Sequence, residues 1–122
     1  MIIIDSVGWI EFFSGGLRAD RYEDYLEDLS AILTPSIILY EVYKKIKRDR
    51  SEGDALMAAA QIGKTQVVPL DEALCVSAAD ISLEFALPLA DSIVYATALA
   101  NGATVLTSDG HFKGLPEVEF IE

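Results

Sequence analysis

The sequence predicts an α/β fold in which a central parallel sheet of about four or five short strands carries helices on both faces. Three observations lead there. Short runs of β-branched residues alternate with longer helical patterns along the whole chain. The first run, Ile2 to Ile4, is apolar at every position, the pattern of a strand buried on both faces. Strands alternating with helices are joined by crossovers, and crossovers make neighbouring strands parallel. At 122 residues the chain is long enough for one core and too short for two, so a single domain is expected over residues 1–122.

Each element has a local cause. The first strand ends at Asp5. Val7 to Phe13 carries Trp9, Phe12 and Phe13 at helical spacing, which predicts core packing or else the floor of a partner groove, and Ser14-Gly15-Gly16 breaks the helix. Ala19 to Leu29 reads as an amphipathic helix whose acids, Asp20, Glu23, Asp24, Glu27 and Asp28, face solvent. Ala31 to Leu33 is the second strand. Thr34 as N-cap and Pro35 at the first helical position then start a helix that passes Glu41 and runs towards Arg50. A helix over Gly53 to Ile62 and a third strand over Gln66 to Leu70 follow. Asp71 caps the next helix, which reaches Phe85 before Pro88 ends the pattern. From Ala90 to Ala100 runs a densely apolar helix, stopped by Asn101-Gly102. Thr104 to Thr107 is the fourth strand, and Val118 to Ile121 a short fifth at the sheet edge.

Bulk composition bounds the rest. A hydrophobic fraction of 52% with 24% charged residues excludes a disordered chain. The longest apolar stretches, Ser36 to Tyr40 and Ile93 to Ala100, fall short of the roughly 20 residues a membrane span needs. Met1 runs directly into Ile2 without a basic segment or a cleavage site, so no secretory signal and a cytoplasmic location are expected. The single cysteine, Cys75, cannot form an internal disulfide and is expected to be buried in its helix. A net charge of −11 argues against a polyanionic substrate, but Lys44, Lys45, Lys47, Arg48 and Arg50 crowd into residues 44–50, directly after Glu41. That run is either a solvated helix face or a local phosphate-binding surface.

In parallel sheets ligands bind beyond the carboxyl ends of the strands, where Asp5, Asp71 and Asp109 emerge. Carboxylates gathered at one place repel unless a cation neutralises them or some stay protonated. Oxygen donors favour Mg²⁺ or Mn²⁺, whereas Zn²⁺ recruits His or Cys, of which the chain has one each, far apart. With neither a serine–histidine pair nor a glycine-rich phosphate loop, hydrolysis by metal-activated water is the chemistry these residues support.

The segments IIIDS at the start, LYEVYKKIK in the middle and LADSIVYATALANGATVLTSD near the end, with HF just after, together resemble the PIN-domain ribonucleases. The length and the Asp-Ser start are similar to the VapC-type toxins of toxin–antitoxin pairs. The resemblance implies a PIN-like fold and an Mg²⁺-dependent endoribonuclease, with Mn²⁺ a possible substitute. It implies Asp5, Glu41, Asp91 and Asp109 as the catalytic acids, with Asp5, Asp91 and Asp109 holding metal and the hydroxyls of Ser6 and Thr107 positioning ligands or water. It further implies an RNA substrate, a homodimer and a VapB-like antitoxin partner. Lys44, Lys45 and Lys47 are expected to hold flanking phosphates. His111 stands where many of these relatives carry another acid; it is read as a substrate contact or an exposed loop histidine, and the number of ions stays open.

Each acid has a structural alternative. Asp91 could serve the first turn of its helix, Glu41 could pair with a nearby lysine, and Asp71 is expected to act as a cap. Two other functions remain at this stage. A phosphoacceptor receiver domain has the same general architecture but needs an acidic pair where Asp5 is followed by Ser6, and the expected lysine after the last strand is missing. A PIN-like fold kept as a silent binding module is the other.

Overall fold

A computed structural model describes residues 1–122. Strand β1 (Ile2–Ile4) leads into helix α1 (Ser6–Ser14) and a short α2 (Ala19–Glu23), continued by 3-10 turns at Asp24–Leu26 and Leu29–Ala31. Then come β2 (Leu33–Pro35), α3 (Ser36–Asp49), α4 (Glu52–Ile62), β3 (Gln66–Val68), α5 (Glu72–Phe85), α6 (Leu89–Asn101), β4 (Thr104–Thr107), a 3-10 turn at Gly110–Phe112 and β5 (Val118–Phe120). Every strand pair is parallel, as the alternation of elements predicts: β1 with β4, β4 with β5, and β2 with β3. The hydrogen-bonded ladder is not continuous, however. A three-stranded and a two-stranded sheet meet only through a bridge between Ile2 and Ile32. Strands of three or four residues leave few positions to pair, and inter-strand twist uses them up quickly.

One hydrophobic cluster forms the core, with Ile3, Ile4, Val105 and Leu106 from the sheet packed against the helices. Helix α6 is its centre. Every residue from Ser92 to Ala98 is buried, and the two hydroxyls in that stretch bond back into the helix: Ser92 donates to the carbonyl of Leu89 (2.7 Å) and Thr97 to that of Ile93 (2.8 Å). Asn101-Gly102 ends α6 as expected, with Gly102 at φ 62°. No single helix is long and apolar enough to cross a membrane.

Five local expectations fail, each for a visible reason. The second strand, expected over Ala31 to Leu33, runs over Leu33–Pro35, because a 3-10 turn occupies Leu29–Ala31. The helix expected over Ala19 to Leu29 stops at Glu23, and further on the Asp28 carboxylate takes the Ser30 amide (3.1 Å) and hydroxyl (2.6 Å), a local alternative to helix. Thr34 is not an N-cap: it lies inside β2, fully buried, and its hydroxyl meets that of Thr65 at 2.7 Å. The third strand ends at Val68 instead of Leu70 because Pro69 has no N–H to continue the ladder. Cys75 is exposed, since α5 buries Leu74, Ala78 and Ile81 and Cys75 falls one position off that stripe. Asp71 does cap α5, accepting the Leu74 amide at 2.8 Å.

Helix α1 presses unusually close to β1. A Cβ at Gly8 would lie 2.6 Å from a ring carbon of the buried Tyr22 and 2.7 Å from the Ile4 side chain, so only glycine permits the approach. At Gly53, in the first turn of α4, a Cβ would meet nothing nearer than the Ser51 hydroxyl at 3.9 Å. Urea denaturation should therefore separate two identical substitutions by sign. Gly8→Ala is expected to cost about 1–3 kcal/mol through overpacking, and Gly53→Ala to add roughly 0.5–1 kcal/mol.

Candidate active site

The parallel β1 and β4 end at the same edge of the sheet, and this edge builds the site. Asp5 follows β1 and is 3% exposed. Its two oxygens are both engaged: Oδ1 accepts the Gly8 amide (3.1 Å), capping α1, and Oδ2 accepts the Thr107 hydroxyl (2.5 Å). The same Thr107 oxygen accepts the Asp109 amide at 2.9 Å, so one buried hydroxyl ties the β4 exit to the β1 exit. Burial pushes the Asp5 carboxyl up to about 7; its two hydrogen bonds oppose the rise, and the charges of Asp109 and Asp91 add to it.

Asp91 sits in the first turn of α6, so the helix-terminus role and the site role coincide in one residue. Burial, then the Asp109 charge, raises its carboxyl to about 6; His111 opposes the rise and Glu41 adds to it. Glu41 is raised by burial too, with the Ser6 hydroxyl pulling the other way and Asp109 adding to the rise. Each of the four acids thus feels at least one other, and the chain brings Asp5, Glu41, Asp91 and Asp109 to one place. Asp71, the remaining acid at a strand exit, serves its cap.

His111 is exposed, yet it belongs to this cluster. Its Nδ1 lies 3.1 Å from Asp91 Oδ2 and 3.0 Å from Asp109 Oδ1. Asp109 itself folds the turn that brings it there, accepting the His111 amide at 2.9 Å. Donor atoms of Asp91, Asp109 and His111 all lie within 4.8 Å of one another, a spacing suited to a cation. Two carboxylates beside a buried third fit a hard divalent ion, and the imidazole nitrogen adds a donor that Mn²⁺ accepts more readily than Mg²⁺. The sequence signal for His111 was its two-residue spacing from Asp109, which a capped 3-10 turn converts into contact.

Beside the acids, a cleft of about 460 Å³ opens between α1 and α3. Ser6, Glu11, Tyr40, Glu41, Lys44, Lys45 and Arg48 line it with Val7 and Ile10. Helix phase explains the membership: Glu41, Lys44, Lys45 and Arg48 stand at i, i+3, i+4 and i+7 on one face, beside the stripe of the buried Ile38, Val42 and Ile46. Lys47 is off this face and outside the cleft, with its ammonium 3.4 Å from Glu52 and 5.5 Å from the centre of the Tyr43 ring. Arg48, Tyr40 and Glu11 line the cleft without having been singled out as site residues from sequence. The N-terminal aromatics pack inward, with Trp9 buried and stacked on Phe13.

A profile of the PIN domain matches residues 2–118. The chain belongs to the PIN-domain family. This excludes the receiver-domain alternative. Among solved structures, this PIN domain is similar to a toxin–antitoxin complex from Klebsiella pneumoniae (TM-score 0.82, 22% identity, 98% of this chain and 96% of that one). It is also similar to VapC20 of Mycobacterium tuberculosis, a toxin that cleaves the sarcin–ricin loop (TM-score 0.79, 20% identity, 100% and 98% covered). A third is VapBC2 of Rickettsia felis bound to a DNA fragment from its promoter (TM-score 0.80, 17% identity, 100% of both chains). These likenesses establish a shared fold. No curated protein sequence matches the chain.

The raised carboxyls have a stability consequence. Folded Asp5 and Asp91 keep protons at pH values where the unfolded chain has lost them, so their contribution is complete below about pH 4 and disappears as pH rises through about 6 and 7. In EDTA, Asp91→Asn should melt at or above the wild-type temperature near pH 8, and its advantage should shrink towards about pH 4. Added Mg²⁺ should raise the wild-type melting temperature and leave the variant's unchanged. Destabilisation of the variant near pH 8 would assign Asp91 a structural role instead.

Proposed function

We propose that this PIN domain is an endoribonuclease that hydrolyses RNA phosphodiester bonds with a divalent ion, Mg²⁺ or Mn²⁺, and serves as the toxin of a toxin–antitoxin pair. The supporting observation is the meeting of Asp5, Glu41, Asp91 and Asp109 at one sheet edge, beside a cleft whose α3 wall carries Lys44, Lys45 and Arg48. Asp91 and Asp109 would hold the ion, with the His111 nitrogen within reach and the buried Asp5 carboxyl beside them. Such an ion would supply Lewis-acid polarisation of the phosphodiester and a lowered pKa for an attacking water.

The chain's own residues do the rest. Thr107 fixes the Asp5 carboxylate, and Ser6 steers that of Glu41. Glu41, whose carboxyl burial raises from its ordinary value, is suited to accept the water proton as the oxygen bonds to phosphorus and the ester P–O bond breaks. The lysines and Arg48 hold neighbouring phosphates and offset, within the cleft, a chain charge of −11.

The toxin role, a homodimer, a cytoplasmic location and a VapB-like antitoxin complete the reading. It draws support from the fold shared with toxins in complexes of that type. An inhibitor suited to four clustered acids presents an arginine or lysine to them in place of the ion.

Incubation with RNA tests the reading. Cleavage should require Mg²⁺ or Mn²⁺ and should disappear in Asp5→Asn with the circular dichroism spectrum unchanged; persistence of cutting in that variant would refute it, and a folded wild type that never cuts would favour a silent binding module. The cleft has its own test in salt. Lys44→Gln with Lys45→Gln should flatten the slope of log affinity against log salt by about 1.4, the value for two single-strand phosphate contacts, and Lys47→Gln should leave it unchanged.

A further inference from the structure

The cleft contains one group that the hydrolytic scheme does not use. Tyr40 precedes Glu41 on α3, lines the same cleft and is 58% exposed, an unusual degree of solvation for a tyrosine in a structured helix. Its ring does not join the aromatic contacts that pack the interior. Instead the Lys44 ammonium lies 5.4 Å from its centre and 3.3 Å from its hydroxyl, one helical turn along. Val7 and Ile10 add an apolar wall across from this stripe, and Lys45 and Arg48 continue it with positive charge. The cleft therefore combines a flat aromatic surface and an apolar wall with a row of cations, beginning at the residue next to a site acid.

Resting on the endoribonuclease reading, we propose that Tyr40 is a specificity-determining residue whose ring stacks on the base of the nucleotide beside the scissile phosphate, so that this nucleotide must be unpaired. Nucleotides combine the matching properties: an uncharged planar base and an anionic phosphate. Stacking needs an open base face, and a base within an A-form helix has both faces covered by its neighbours, with its major-groove edge out of side-chain reach. The adjacency of Tyr40 to Glu41 places the stacked base next to the reacting phosphate. The Lys44 ammonium spans the two functions, close enough to polarise the ring and one turn along towards the phosphate path. A basic peptide segment fits the cleft less well, since Lys44, Lys45 and Arg48 repel it.

The test measures equilibrium binding in Mg²⁺ by fluorescence anisotropy, in an Asp5→Asn background that stops cleavage. The probes are a single-stranded RNA of mixed sequence and a fully abasic strand of equal length, which keeps the phosphates and removes every base. Tyr40→Ala should weaken binding to the ordinary strand roughly 5- to 150-fold, the range of one base–aromatic stack, and leave binding to the abasic strand unchanged. Tyr40→Phe should bind both as the parent does. Equal losses on both strands would show that Tyr40 acts through the helix or Lys44 and would overturn the proposal, as would a Tyr40→Phe defect as large as that of Tyr40→Ala. Unchanged RNA binding in Tyr40→Ala, with weakened binding of a lysine-rich peptide, would assign the ring to protein docking and also overturn it. If the parent binds and the wild type cuts RNA while Tyr40→Ala has no effect, this inference alone fails; absence of all RNA binding and cutting removes the endoribonuclease reading with it.

Discussion

The Thr107 hydroxyl, shared between Asp5 and Asp109, is the contact on which the site depends. It donates to one carboxylate and accepts from the backbone of the other residue, so the exits of β1 and β4 are joined by a single buried oxygen. Parallel pairing brings those exits to the same edge, and the absence of a side chain at Gly8 lets α1 come near enough for its amide to hold the other Asp5 oxygen. Together these contacts hold a carboxylate that burial and its neighbours would otherwise disfavour. The repulsion that remains is shared among four acids.

Charge on this molecule is arranged by helix phase more than by amount. The chain is strongly acidic overall, yet α3 presents an acid and three cations along one stripe, with a buried apolar stripe beside it. Lys47, in the same run of basic residues, points elsewhere and pairs with Glu52. A basic run in a sequence is thus divided by the 3.6-residue period into the part that lines the cleft and the part that does not.

Asp5 and Asp109 could be read from the chain because each follows a short β-branched run, and strand exits are where such sheets expose their ligands. Glu41 and Asp91 are harder. Both lie within helices, where local pattern says which face is apolar but not which acid turns towards a distant partner, and it was the likeness to the PIN-domain ribonucleases that named them. The sequence reads His111 only as a substrate contact or an exposed loop histidine and Arg48 only as part of a basic run, because their positions depend on a capped turn and on helix rotation. Cys75 and Thr34 misled for a related reason. Residue type suggested a buried thiol and a helix cap, while a one-position phase shift and a hydroxyl partner thirty-one residues away decided otherwise.

Helix α6 carries Asp91 in its first turn and is sealed from solvent along the seven residues that follow. Burial of this kind is characteristic of the slowly exchanging part of a molecule. An acid of the site is therefore anchored to the most deeply buried helix of the fold.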